Sequence, residues 1–110
     1  MAKLERTIHG DFSQILSKVV NGVLEGSVSA SLEDSSDYNY GDIRCAVRVF
    51  ERYSAFGGNR VSMNVTLLQV QKGTVHLSAI TSGGSQAMFF KINTLGEETF
   101  LETLEDIFKN

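Results

Sequence analysis

The chain has no proline, no tryptophan and a single cysteine, Cys45, in 110 residues. Without proline there is no rigid spacer, and without a low-complexity stretch there is no visible linker, so one domain over residues 1–110 is expected. One cysteine excludes an internal disulfide and fits a reducing cytoplasm. No run of eighteen apolar residues occurs, which excludes a helical membrane span. The start, Met1-Ala2-Lys3-Leu4-Glu5-Arg6, lacks the apolar stretch and cleavage site of a secretory signal. An excess of positive charge is also missing. Ten basic against thirteen acidic residues leave a net charge of −3. A surface that grips phosphate backbones needs the opposite sign, so no nucleic acid is expected.

What is present is a modest core and clear periodicity. Hydrophobic residues make up 42% of the chain, enough for a globular fold and too many for a disordered one. Lys3–His9 reads as a strand. Asp11 then stands as an N-cap with Gln14 three residues on, the spacing of a capping box. Phe12, Ile15, Leu16, Val19, Val20, Val23 and Leu24 follow at i, i+3, i+4 intervals, which predicts an amphipathic helix ending with Gly26 as its C′ residue.

From residue 27 the period falls to two. Val28, Ala30 and Leu32 alternate with polar residues and predict a half-buried strand, and polar Asp34–Asp42 reads as a loop. Ile43–Ser54, Arg60–Val70, Thr74–Thr81 and Gln86–Ile92 read as further strands. Thr94 and Glu97 form a second capping box, opening a last helix with Phe100, Leu101, Leu104, Ile107 and Phe108 on its apolar face.

Parity tests the hairpins, since residues paired across strands share a face. A three-residue Gln71-Lys72-Gly73 loop pairs Leu67 with Leu77 and Val65 with Ala79. A four-residue Ser82–Ser85 loop pairs Ala79 with Met88, Leu77 with Phe90 and Val75 with Ile92. Around Phe56–Asn59, a three- or five-residue loop keeps Val47, Val49, Val65 and Leu67 together. The order β-α-β-β-β-β-β-α follows. It predicts an α+β two-layer sandwich: an antiparallel sheet of five to six strands with two helices on one face. That order resembles the helix-grip and TATA-box-binding-protein-like arrangements, an analogy that carries no function.

On this parity the second sheet face carries Arg44, Arg48, Phe50 and Arg52, then Leu68, Ile80, His76, Phe89 and Lys91. The arginines recur every four residues, about 13 Å apart along a strand. Three readings stay open. One is an ordinary solvent face. Another is a homodimer interface built on Arg44, Arg48, Phe50, Arg52, Leu68, Ile80 and Phe89. A third is a groove for an anionic ligand.

The turn Ser82-Gly83-Gly84-Ser85 offers backbone N–H groups to an anion, with Arg60 expected beside it at the same end of the sheet. The plain alternative is that glycine only supplies turn dihedrals, since neither glycine loop runs into a helix N-terminus. The carboxylates of Asp34–Asp42 do not follow calcium-loop spacing. Cys45 alternates with Ile43 and Val47, so it is expected to point into the core. His9 and His76 have no metal-spaced partner, and no catalytic or nucleotide-binding motif appears. Neither a metal nor a cofactor is expected, and no nucleophile, base and oxyanion donor assemble into an enzyme site.

The stretches Gly41–Tyr53, Ala79–Ala87 and Phe89–Glu98, together with Gly10-Asp11-Phe12, resemble a small bacterial family of unknown function, mostly from Gram-positive anaerobes. The resemblance spans essentially the whole chain. It implies a stand-alone cytoplasmic bacterial protein and assigns no functional residue. The leading functional expectation is a non-enzymatic domain that self-associates or binds a partner through its open sheet face. A small anionic ligand near the glycine turns, or between sheet and helices, is the alternative.

Overall fold

A computed structural model of the chain describes residues 1–53, 60–83 and 90–108, with backbone alone for 90–96. Strand β1 (Ala2–His9) leads into helix α1 (Phe12–Gly26). Strands β2 (Ser31–Tyr40), β3 (Ile43–Tyr53), β4 (Arg60–Gln69) and β5 (Thr74–Gly83) follow, then helix α2 (Phe90–Ile107). The strands form one antiparallel sheet in the order β1-β5-β4-β3-β2. Both helices pack on the same face, so the α+β class and the two-layer arrangement hold.

Helix α1 begins as its sequence predicts. The Asp11 side chain accepts from the Gln14 N–H at 3.0 Å, and Phe12, Ile15, Val19 and Val23 are buried. Its end differs. Gly26 is the last helical residue and has no positive φ, so it is not a left-handed cap. Gly22 and Gly26 instead give α2 room to approach. A Cβ on Gly26 would lie 2.6 Å from Thr103 Cγ2, and one on Gly22 would overlap Ile107.

The β4–β5 hairpin has the expected register, with Leu67 opposite Leu77 and Val65 opposite Ala79. Gly73 sits at φ +93, the left-handed region that a turn opens to glycine. On the far side of β5 the expectation fails. Leu77, Val75 and Ala79 pair with Arg6, Ile8 and Leu4 of β1, not with Phe90, Ile92 and Met88. Of the strand expected over Gln86–Ile92, residues 86–89 lie outside the described residues, and Phe90–Ile92 form the start of α2. A three-residue window with apolar ends is too short to tell a period of two from one of 3.6. Thr94 is therefore inside the helix. Glu97, far from capping anything, is buried and ion-paired at 2.9 Å with the Met1 α-amino group.

Two further expectations are corrected on the other edge. Val28 is fully exposed in a turn, and the polar segment read as a loop is strand β2. An edge strand needs only backbone pairing on one side, so polar residues serve it well and protect it from stray pairing. Tyr40 pairs with Ile43 across the two-residue turn Gly41-Asp42, with Gly41 at φ +59 as hairpin turns of this length require.

The largest correction concerns β3. Arg48 pairs with Val65, Ala46 with Leu67 and Phe50 with Met63, because Tyr53 pairs with Arg60. An even number of residues therefore separates the strands, not three or five. Every β3 side chain is flipped relative to the expectation. Phe50 and Ala46 join the core, and Val47 and Val49 leave it. Both sides of β3 are apolar enough to face inward, so alternation alone does not choose between them.

Candidate functional site

The flip of β3 rearranges the candidate residues. Arg44, Arg48, Phe50 and Arg52 do not line the open face. They sit on the helix side. Phe50 is fully buried against Met63 and the helices. The guanidinium of Arg44 lies 4.3 Å over the Phe12 ring and donates to Ser13 Oγ at 2.9 Å. That of Arg52 lies 4.5 Å over the Phe100 ring. Burial pushes Arg52 below its ordinary range, since desolvation disfavours the charged form. Arginine remains protonated there, because its ordinary value is so high. Arg48, between them, pairs with Asp37 of β2 at 3.1 Å. Arg44 and Arg52 thus cap aromatic rings and Arg48 ties β3 to β2, a structural use of planar, weakly hydrated cations.

The face opposite the helices carries a different set. Along β3 run Ile43, Cys45, Val47 and Val49, each with accessible surface. Cys45 is half-buried on this open face and does not point into the core. Leu68 stands beside it on β4 and Tyr38 on β2. Leu68, Ile80, Ile43, Tyr38, Tyr40 and Tyr53 all exceed one third exposure, with Tyr38 at 72%. Leu68 and Ile80 are thus the two predicted interface residues that do lie here. Phe89 lies outside the described residues. Among the described residues, no element packs over this face. The apolar alternation of residues 43–49 is visible in the sequence, and only its assignment to the core hides it as a surface.

The glycine-turn candidates partly converge. Val61 pairs with Gly83 and Ser62 with Ser82, so Arg60 and the Ser82-Gly83 end of β5 do share one end of the sheet. Gly84 and Ser85 lie outside the described residues. Arg60 is already engaged: Glu51 Oε1 is 2.5 Å away and Glu33 Oε2 3.9 Å. Ser82 Oγ is bonded to Ser62 Oγ at 2.9 Å.

A cleft of about 390 Å³ opens at the opposite end, lined by Asp11, Phe12, Asp42, Arg44, Gln69 and Lys72 together with turn glycines. Gln69 is buried and donates to the Asp42 carbonyl at 2.7 Å, and Lys72 is 3.7 Å from the Asp42 carboxylate. Two cations and two carboxylates balance one another there. Among the described residues no three His, Cys, Asp or Glu side chains gather as metal ligands. Nor, among them, is any helix long and apolar enough to cross a membrane.

No curated protein and no solved structure matches the chain. One family model does, over residues 1–110, so the chain belongs to DUF6054, a family of unknown function.

Proposed function

We propose that this chain is a non-enzymatic protein-binding domain of the bacterial cytoplasm that works through its open sheet face, by self-association or by holding another protein. One observation carries the reading: the apolar line Ile43-Cys45-Val47-Val49, flanked by exposed Leu68 and Tyr38, lies on a sheet face with no covering layer among the described residues. Scattered exposed apolar residues are ordinary, but a contiguous apolar line rimmed by polar side chains marks an interaction surface. The single cysteine and the sequence resemblance support the bacterial, cytoplasmic setting.

A photoreactive amino acid placed at position 68 tests this in cells. An adduct, to the chain itself or to another protein, is expected from position 68 and not from position 102 on the outer side of α2. No adduct from position 68 would remove the reading.

The second reading is a small anionic ligand in the cleft that Arg44 and Lys72 share. A thermal-shift panel of phosphates, nucleotides and carboxylates tests it. Ligand at a hundred times its Kd adds about 2.7 kcal/mol. A flat panel would set the idea aside.

A further inference from the structure

We infer that the occupant of the open face is a second copy of this chain, packed face to face so that strand β3 of one copy lies along β3 of the other. This partner assignment rests on the protein-binding reading above and adds to it the identity of the partner.

The open face has one continuous apolar line, and it runs along a single strand. The neighbouring β4 positions Thr66, Asn64 and Ser62 are polar, and so are Ser78 and His76 on β5. A line of this kind buries most surface against another line like itself. A two-fold axis parallel to β3 brings that about with each residue in register with its own copy.

The same axis exchanges β2 and β4, and their side chains fit one another. The cross-strand rows read Tyr38–Cys45–Leu68, Ser36–Val47–Thr66 and Asp34–Val49–Asn64. Exchange sets Tyr38 on Leu68 of the second copy, Ser36 on Thr66, and the Asp34 carboxylate on the Asn64 amide. One like-charged pair meets on the axis, Glu51 with its own image, and Arg60 of each copy lies 2.5 Å from that carboxylate and neutralises it. Apart from Asp34, the charged residues named here around the strip are compensated within one copy. Lys3 is 3.7 Å from Glu5 on the far β1 edge, and Arg60 holds Glu51 at the end of β3. A surface shaped for a strongly charged foreign partner would leave its charge uncompensated. This one leaves a nearly neutral centre that does not repel its own image.

The overlap is small. Three strands about 4.8 Å apart and roughly ten residues long at ~3.4 Å each bury about 500 Å² per copy. The total, about 1,000 Å², sits at the threshold for a specific interface, so the dimer is weak and forms in the micromolar range. Packed sheets stand about 10 Å apart, whereas a disulfide needs Cα atoms within ~7 Å. The two Cys45 residues therefore face each other without bonding directly. A short bismaleimide spans the gap.

Sedimentation velocity from low micromolar to a few hundred micromolar tests the assignment, with bismaleimide cross-linking alongside. The expected result is a concentration-dependent shift to dimer, and a covalent dimer that disappears in Cys45→Ser. Val47→Glu buries an unpaired charge at the centre of the contact and should raise the dimer Kd by ~30-fold or more. Leu68→Asp, on the neighbouring strand, serves as a second variant if the first fails to fold. A monomer at every concentration overturns the assignment, as does a dimer that survives either folded variant. An adduct from position 68 to a foreign protein, with a monomer in solution, overturns the second copy and leaves the protein-binding reading standing. Absence of any adduct removes both.

Discussion

The two sides of strand β3 are divided in a way opposite to intuition. The inner side carries Arg44, Ala46, Arg48, Phe50 and Arg52, and the outer side Ile43, Cys45, Val47, Val49, Glu51 and Tyr53. The side with three cations is packed under the helices, and the more apolar side, charged only at Glu51, faces outward. Long arginine stems explain the first half. Those of Arg44 and Arg52 place their guanidinium planes over Phe12 and Phe100, so stem and head both cover apolar surface. Phe50 decides the second half, because a fully buried phenyl outweighs two half-exposed valines. Burial is settled by what covers a residue, and its charge alone does not predict it.

The largest effect expected from breaking this comparison comes at Phe50. Phe50→Ala should cost about 3–5 kcal/mol in urea unfolding. A cost no greater than that of Val47→Ala would mean that the sides are reversed. Gly22→Leu should follow at about 1–3 kcal/mol, because a side chain there collides with Ile107 where α2 crosses α1 above the inner face. An unchanged midpoint would show that the helices do not meet at that point.

Arg52 sharpens the account of buried arginines. Arg52→Ala should cost about 1–2 kcal/mol, and Arg52→Met, which keeps an apolar stem over Phe100, less than about 1 kcal/mol. Equal costs would assign the contribution to charge and not to stacking. The smallest effect belongs to the outer side. Val47→Thr should shift stability by no more than ~0.5 kcal/mol. In the same native protein, Cys45 should react with a thiol reagent without denaturant. A silent thiol in a monomeric chain would return Cys45 to the core.

The candidate surface was half legible in the residues. Parity places Leu68 and Ile80 on the open face because the β4–β5 hairpin is short, and glycine at position 73 leaves its register little freedom. Parity puts their neighbours on β3 on the wrong side because Tyr53 and Arg60 are joined by a longer connection, whose parity local rules do not set. Arg60 and Ser82 met at one end as hairpin alternation requires, yet Glu51 and Glu33 already hold that arginine. No pattern in the residues announced those ion pairs.

The sequence by itself determined the elements whose signals are local and mutually consistent: the Asp11-capped helix, the β4–β5 hairpin and its register, and the α+β class. Each depends on contacts a few residues apart, where periodicity and capping leave one answer. Tertiary structure alone decided the insertion of β1 beside β5, the start of α2 at Phe90 and the side of β3 that faces inward. Those choices compare the burial of whole surfaces against one another. β1 and β5 are separated by most of the chain, and on β3 both sides carried enough apolar surface to be chosen. Packing of Phe50 and the three arginines under the helices resolved the choice, and among the described residues it leaves the apolar line through Cys45 uncovered.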